Sequence, residues 1–239
     1  MVSEINLFNA DCLEIMENVI PDNSIDLILC DLPYGTTQNK WDSIIPLDRL
    51  WQCYTAVSKE QTAIVLTAAQ PFTSSLVMSQ PESFKYEWIW HKTKATGFLN
   101  AKKQPLREHE SVVVFYREQP TYNPQGLKPF NKVTRRGSFG TNYCKAKPNE
   151  CENFQENTGY PRSILEIASQ GKTEHPTQKP VELMEYLIKT YTTEGMTVLD
   201  NCMGSGTTGV ACKRLNRNFI GIEKDPEYFK IAEKRINEA

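Results

Sequence analysis

Short apolar runs separated by stretches of helical period divide this chain of 239 residues. Seven runs have the length and the β-branched or aromatic content of strands: residues 5–9, 24–30, 63–67, 86–91, 111–116, 197–200 and 219–223. Residues 47–58, 72–79, 181–191, 207–215 and 226–237 carry amphipathic or helix-compatible patterns between them. Strand alternating with helix predicts an α/β fold with a mostly parallel sheet covered on both faces. Runs 86–91 and 111–116 have no helix between them, so an antiparallel edge pairing across a long Lys-rich loop is expected.

Residues 118–172 break this rhythm with five prolines (120, 124, 129, 148, 161) and with glycines that include 126, 137, 140 and 159. Aromatics that include Tyr122, Phe130, Phe139, Tyr143 and Phe154 give the segment anchors, so it reads as an irregular insertion and not as a linker. Residues 1–117 and 173–239 are then two halves of one domain, a size that 239 residues and 39% hydrophobic content can support.

Composition narrows the setting. No run approaches the ~18 apolar residues of a membrane span, and Met1-Val2-Ser3-Glu4 lacks a basic, apolar leader pattern, so a cytoplasmic protein without membrane contact is expected. Seven cysteines, an odd number without a Cys-x-x-Cys pair, fit reduced thiols. Cys144, Cys151 and His175 lack the paired spacing of a metal site, and no metal is expected.

The net charge of −2 hides a segregation. Residues 92–147 hold twelve Lys and Arg against three Glu, while the rest of the chain carries a net −11. Lys92, Lys94, Lys102, Lys103, Arg107, Lys132, Arg135 and Arg136, interleaved with aromatics, are candidates for a surface that tracks phosphates; a solvated loop region is the plainer alternative.

Two motifs carry chemistry. Asp31-Leu32-Pro33-Tyr34 closes an apolar run and sets a carboxylate, a backbone carbonyl and an aromatic face within four residues, the parts needed to hold a planar amino-bearing base. An ordinary strand exit would also use Asp and Pro. Far downstream, the strand ending at Asp200 runs into Asn201-Cys202-Met203-Gly204-Ser205-Gly206-Thr207-Thr208, a glycine turn opening a helix, and a second strand ends in Glu223, 23 positions after Asp200. Strand, glycine turn, helix, strand and terminal acid form a nucleotide-type half-fold, with the acid placed for ribose hydroxyls. There is no third glycine at dinucleotide spacing, so NAD is disfavoured and a nucleoside cofactor without phosphates fits better.

These motifs resemble the S-adenosylmethionine-dependent amino-group DNA methyltransferases. Asp31 to Tyr34 is similar to their catalytic Asp-Pro-Pro-Tyr tetrad, and Asp200 to Thr208 to their Asp-Pro-Phe-x-Gly-Ser-Gly-Thr-Thr cofactor loop. His175-Pro176-Thr177-Gln178-Lys179-Pro180 matches a third motif. The catalytic motif precedes the cofactor loop, as in the permuted beta class. Leu32 stands for a proline whose backbone carbonyl is the group used, and Asn201-Cys202 stands for Pro-Phe, which removes an aromatic wall from the cofactor loop.

The resemblance implies a Rossmann-like seven-stranded sheet with one reversed strand, and target recognition by the insertion. It further implies S-adenosylmethionine as cofactor, held by Asp11, Thr177, Lys179, Asp200, Asn201, Met203, Gly204, Ser205, Gly206, Thr207, Thr208 and Glu223. For Asp11 a helix N-cap is an equal alternative, and His175 reads as structural. The substrate would be a base rotated out of double-stranded DNA. The carboxylate of Asp31, where cytosine-directed relatives usually carry Ser, points to the 6-amino group of adenine. Alternatives are methylation of the 4-amino group of cytosine or of RNA, or a catalytically silent nucleic-acid-binding module. A homodimer, a cognate restriction endonuclease and nucleoid association on DNA are compatible with the resemblance.

Overall fold

In the run Leu27-Ile28-Leu29-Cys30 alternate side chains pack on opposite faces of a sheet, and all four are buried. A strand apolar on both faces has to be central, and this one is. The computed structural model describes residues 3–35, 43–135, 152–169 and 178–239. In chain order the elements are β1 (Ile5–Phe8), α1 (Cys12–Asn18), β2 (Ile25–Asp31), α2 (Leu47–Val57), β3 (Ser58–Ala68), α3 (Phe72–Ser79), β4 (Phe84–Thr96), β5 (Arg107–Phe115), β6 (Lys128–Arg135), β7 (Glu152–Thr158), β8 (Ile164–Glu166), α4 (Val181–Tyr191), β9 (Thr197–Asp200), α5 (Thr207–Arg214), β10 (Asn218–Ile222) and α6 (Pro226–Glu238).

Met1–Asn123 and Ser163–Ala239 form one unit, built on a sheet of order β1-β10-β9-β2-β3-β5-β4-β8. All neighbours run parallel except β5, which is antiparallel to both β3 and β4. Leu27 and Leu29 of β2, with Val112 and Val114 of β5, face a core closed by Leu183, Leu187 and Ile188 of α4, Val210 and Ala211 of α5, and Ala232 and Ile236 of α6. Ile28 and Cys30, with Val113 and Phe115, face the opposite core, closed by Leu13 and Met16 of α1, Leu50, Trp51, Tyr54 and Val57 of α2, and Phe72 and Leu76 of α3. The period-2 alternation of the strands thus feeds two helical layers.

All seven expected strands form, and the mixed sheet with one reversed strand is the expected fold. The edge differs. β5 lies inside the sheet between β3 and β4, and the three-residue β8 adds an eighth strand beside β4. Ile164-Leu165-Glu166 buries only Leu165 of its three side chains, too little alternation to mark a strand. β4 and β5 also run on past their buried parts as a hairpin with exposed arms.

Pro124–Arg162 is a second compact unit. Where an irregular segment was expected, β6 and β7 pair antiparallel. Between Pro129 and Lys132 the register gains one residue relative to Asn157 and Gln155, and Asn131 takes φ 47° there. Proline and a left-handed residue inside a strand remove the alternation that identifies one. Cys144, Cys151, His175, Thr177 and Arg136 lie outside the described residues. Among the described residues no cluster suited to a metal occurs, and no helix is long and apolar enough to cross a membrane.

Candidate active site

The chain leaves β9 through α5 toward β10 and leaves β2 through α2 toward β3, in opposite directions along the sheet. β9 and β2 are neighbours, so the crevice at their carboxyl ends is the point where an open α/β sheet places its ligand. A cavity of about 1010 Å³ opens there, near the upper limit for ligand sites. Its lining runs from Glu223 after β10, past Asp200 and Asp31, to Glu110 on β5 and Trp90 and Lys92 on β4. Five strand spacings separate β10 from β4, about 24 Å, which is room for two ligands end to end.

Asp31 stands in the middle. Its Oδ1 accepts the Tyr34 hydroxyl at 2.7 Å and the Thr67 hydroxyl, and its Oδ2 accepts the Lys179 ammonium at 2.6 Å. The Tyr34 hydroxyl also lies 3.0 Å from Thr67 Oγ1. The Tyr34 ring stacks on Phe72 with centroids 5.4 Å apart, and Lys179 Nζ lies 5.6 Å from the Tyr34 centroid. Leu32 buries its side chain in the α1–α3 core, which anchors the turn, while Leu32 and Pro33 both line the cavity.

Lys179 is buried and bridges two acids, since Glu110 Oε2 lies 3.3 Å from its Nζ. Burial alone would push its ammonium down, but the charges of Asp31 and Glu110 outweigh this and hold it well above the usual lysine range. Glu110 pairs in turn with Lys92, so four charged side chains from β2, β4, β5 and the segment before α4 form one alternating chain. Burial, then the Asp31 charge, push the Tyr34 phenol well above its usual value, so it remains a hydrogen-bond donor.

On the other side the glycine loop is shaped by acids. Gly204 and Gly206 adopt φ 52° and 77°, and a Cβ on Gly206 would meet Ala232 at 2.9 Å, whereas nothing lies within 4 Å of the corresponding place on Gly204. Glu223 accepts the backbone N–H of Gly204 at 2.9 Å and of Asp225 at 2.8 Å. Burial raises its carboxyl above the usual range against the pull of those two bonds. Asp200 accepts Thr208 Oγ1 at 2.6 Å and Cys202 N at 3.2 Å, and burial pushes it up to about 7. Asn201 is buried and accepts the Tyr54 hydroxyl at 2.7 Å, so it ties the loop to α2.

Ser205 donates to Gln178 at 3.1 Å and accepts from Arg235 at 2.8 Å, which joins the third motif to the glycine loop. Met203, Thr207 and Thr208 are buried along the cavity wall. Asp11 does what its bland alternative requires: its side chain caps α1 by accepting Leu13 N at 3.0 Å. It also lines the cavity and pairs with Lys224 at 3.1 Å. Burial raises its carboxyl, but the Lys224 bond and the cap outweigh this and leave it below the usual value.

The expected catalytic and cofactor residues therefore converge on the cavity from both ends of the chain, with Gly206 packed behind the loop against Ala232; Thr177 lies outside the described residues. Two placements were not anticipated. Lys179 sits on the catalytic-motif acid, and Lys92 is inside the cavity on Glu110 and only 12% exposed, whereas Lys94, Lys102, Lys103 and the cavity-rim Arg107 are exposed. Sequence reading missed Thr67, Phe72 and Glu110, none of which lies in a motif. The only available signal was that Thr67 closes one apolar run and Glu110 immediately precedes another.

The family model described as DNA methylase (N6_N4_Mtase) matches residues 25–234. The chain belongs to this DNA methylase family. It is 27% identical over 262 residues to the type II methyltransferase M2.LlaDCHI of Lactococcus lactis subsp. cremoris, covering 97% of this chain and 88% of that one. The crystal structure of the M1.HpyAVI–SAM complex superimposes with a TM-score of 0.68 at 28% identity, covering 97% of this chain and 99% of that one. The cytosine-N4-specific PvuII DNA methyltransferase gives 0.73 at 16% identity, over 98% and 87% of the two chains, a likeness of fold.

The residues present fit the cofactor of such enzymes. Asp11 and Glu223 suit the hydroxyls and amino group of a nucleoside and the cation it carries, and Gly204 leaves open space beside its backbone.

Proposed function

We propose that this chain methylates the 6-amino group of adenine at a specific short site in double-stranded DNA. The methyl donor is S-adenosylmethionine, which supplies an electrophilic methyl group on a sulfonium when bound. The carrying observation is the Asp31 carboxylate, held by three donors in the middle of a cavity long enough for two ligands.

An aromatic amine is a poor nucleophile because its lone pair is delocalised into the ring. Asp31 accepts one N–H of the target amine and the Leu32 carbonyl the other, which favours a pyramidal nitrogen with its lone pair free. Tyr34, backed by Phe72 and tethered to Asp31, offers an aromatic wall to a base rotated out of the duplex. With Lys179 already on Oδ2, Asp31 acts as a positioned acceptor more than as a strong base, and the methylated nitrogen releases its proton to Asp31 or water. Holding amine and methyl group at contact supplies much of the remaining rate.

Asp11, Thr177, Asp200 to Thr208 and Glu223 form the cofactor half in this reading. Lys179 reaches a cofactor carboxylate only by leaving or sharing Asp31. The unit Pro124–Arg162, with Lys132 and Arg135, takes target recognition. The type II relatives support a modification enzyme of a restriction pair.

Mass spectrometry of nucleosides from DNA treated with the protein and S-adenosylmethionine tests the reading. 6-Methyladenine is expected. Predominant 4-methylcytosine would overturn the choice of base, and methylated RNA with untouched DNA the choice of substrate.

A further inference from the structure

The most exposed apolar side chains of the described chain are Leu99, at 101%, and Phe98, at 81%. They occupy the tip of the β4–β5 hairpin, in a 3-10 turn (Phe98–Asn100) that begins after Gly97 at φ 87°. The tip is internally bonded: Asn100 N donates to Gly97 O at 3.0 Å, Ala101 N to Phe98 O at 3.1 Å, and Lys103 N to Asn100 O at 2.8 Å. Two large apolar groups are thus held in water on an ordered turn, which no folding requirement explains.

Their surroundings point to one kind of partner. Residues 92–107 contain no Asp or Glu, and Lys94, Lys102, Lys103 and Arg107 are exposed and form no ion pair among the described residues. An apolar tip in a basic collar is complementary to stacked bases between phosphate strands, and a polyanion is the occupant this charge selects. The location agrees. Thr96 and Arg107, paired at the base of the tip, line the cavity that holds Asp31, so Phe98 lies two residues from the rim.

We propose that Phe98 and Leu99 form a wedge that enters the base stack of double-stranded DNA and fills the space left when the target base rotates into the Asp31 cavity. This rests on the DNA methyltransferase reading and adds the element that drives and holds the extruded state. Unstacking is costly for a paired base and least for an unpaired one, so the contribution of a wedge should depend on how well the target is paired.

The test uses the full chain and a synthetic duplex carrying the site found by sequencing DNA from a host that expresses the protein. Methyl transfer in a single turnover is compared for wild type and the F98A/L99A double variant, with the target base either paired or opposite an abasic position. The variant should lose at least about tenfold on the paired duplex and stay within about threefold of wild type on the abasic one. Equal rates on the paired duplex, or an equal loss on both duplexes, would overturn the wedge. A lower mass for the variant in light scattering would assign the tip to contact between copies and also overturn it. Wild type that methylates no DNA at all would defeat the underlying function, a result distinct from these.

Discussion

Lys179 Nζ lies 2.6 Å from Asp31 Oδ2, so the segment before α4 and the end of β2, 148 residues apart, meet as a buried ion pair at the centre of the cavity. Removing one partner of such a pair leaves an uncompensated charge, whereas removing both does not. Lys179→Met should therefore destabilise the protein by more than the Asp31→Asn/Lys179→Met double variant does. A coupling of about 0.5–3 kcal/mol is expected for residues in contact, and urea denaturation of wild type, the two single variants and the double variant measures it. Additive effects would mean that the pair is not formed in solution.

Asp31→Ala should abolish methyl transfer and leave cofactor binding nearly unchanged, because Asp31 bonds to Tyr34, Thr67 and Lys179 but to no residue of the glycine loop. Calorimetry with S-adenosylmethionine beside a turnover assay checks this. Turnover above a few per cent of wild type would remove Asp31 from the chemistry.

Glu223 holds the Gly204 and Asp225 amides as well as facing the cavity. Loss of a charged hydrogen-bonding group predicts that Glu223→Ala weakens cofactor binding by roughly 1.5–3 kcal/mol. Glu223→Gln, which keeps a carbonyl for the Gly204 amide, should lose less. Unchanged affinity in both variants would reduce Glu223 to a loop brace.

Asp200 gives a pH prediction. Its folded value of about 7 lies above the ordinary 3.8, so between these values the folded state binds more protons than the unfolded chain. Its contribution to stability is full below about pH 4 and is lost as pH rises through 7. Asp200→Asn removes this term, so the melting temperature of the variant should gain on wild type from pH 5 to pH 8. Parallel melting curves across that range would show that Asp200 is ionised throughout.

The chain by itself determined the sheet and the two motif poles. Alternation of apolar side chains in β2 and β5 needs two covered faces, and glycines at 204 and 206 answer to positive φ, both local consequences of side-chain size and backbone sterics. Asp31, Tyr34 and Glu223 were legible because each lies at or just after the carboxyl end of a strand, in a motif of fixed spacing. What the sequence could not decide is which charges meet. Lys92 and Lys179 look alike among many lysines, and Glu110 is one acid in a basic stretch. Only the folding of β5 between β3 and β4, an order set by long-range strand pairing, brings Glu110 beside Lys179 and Lys179 beside Asp31. Burial then makes the pairing compulsory, since an isolated charge there would cost several kcal/mol.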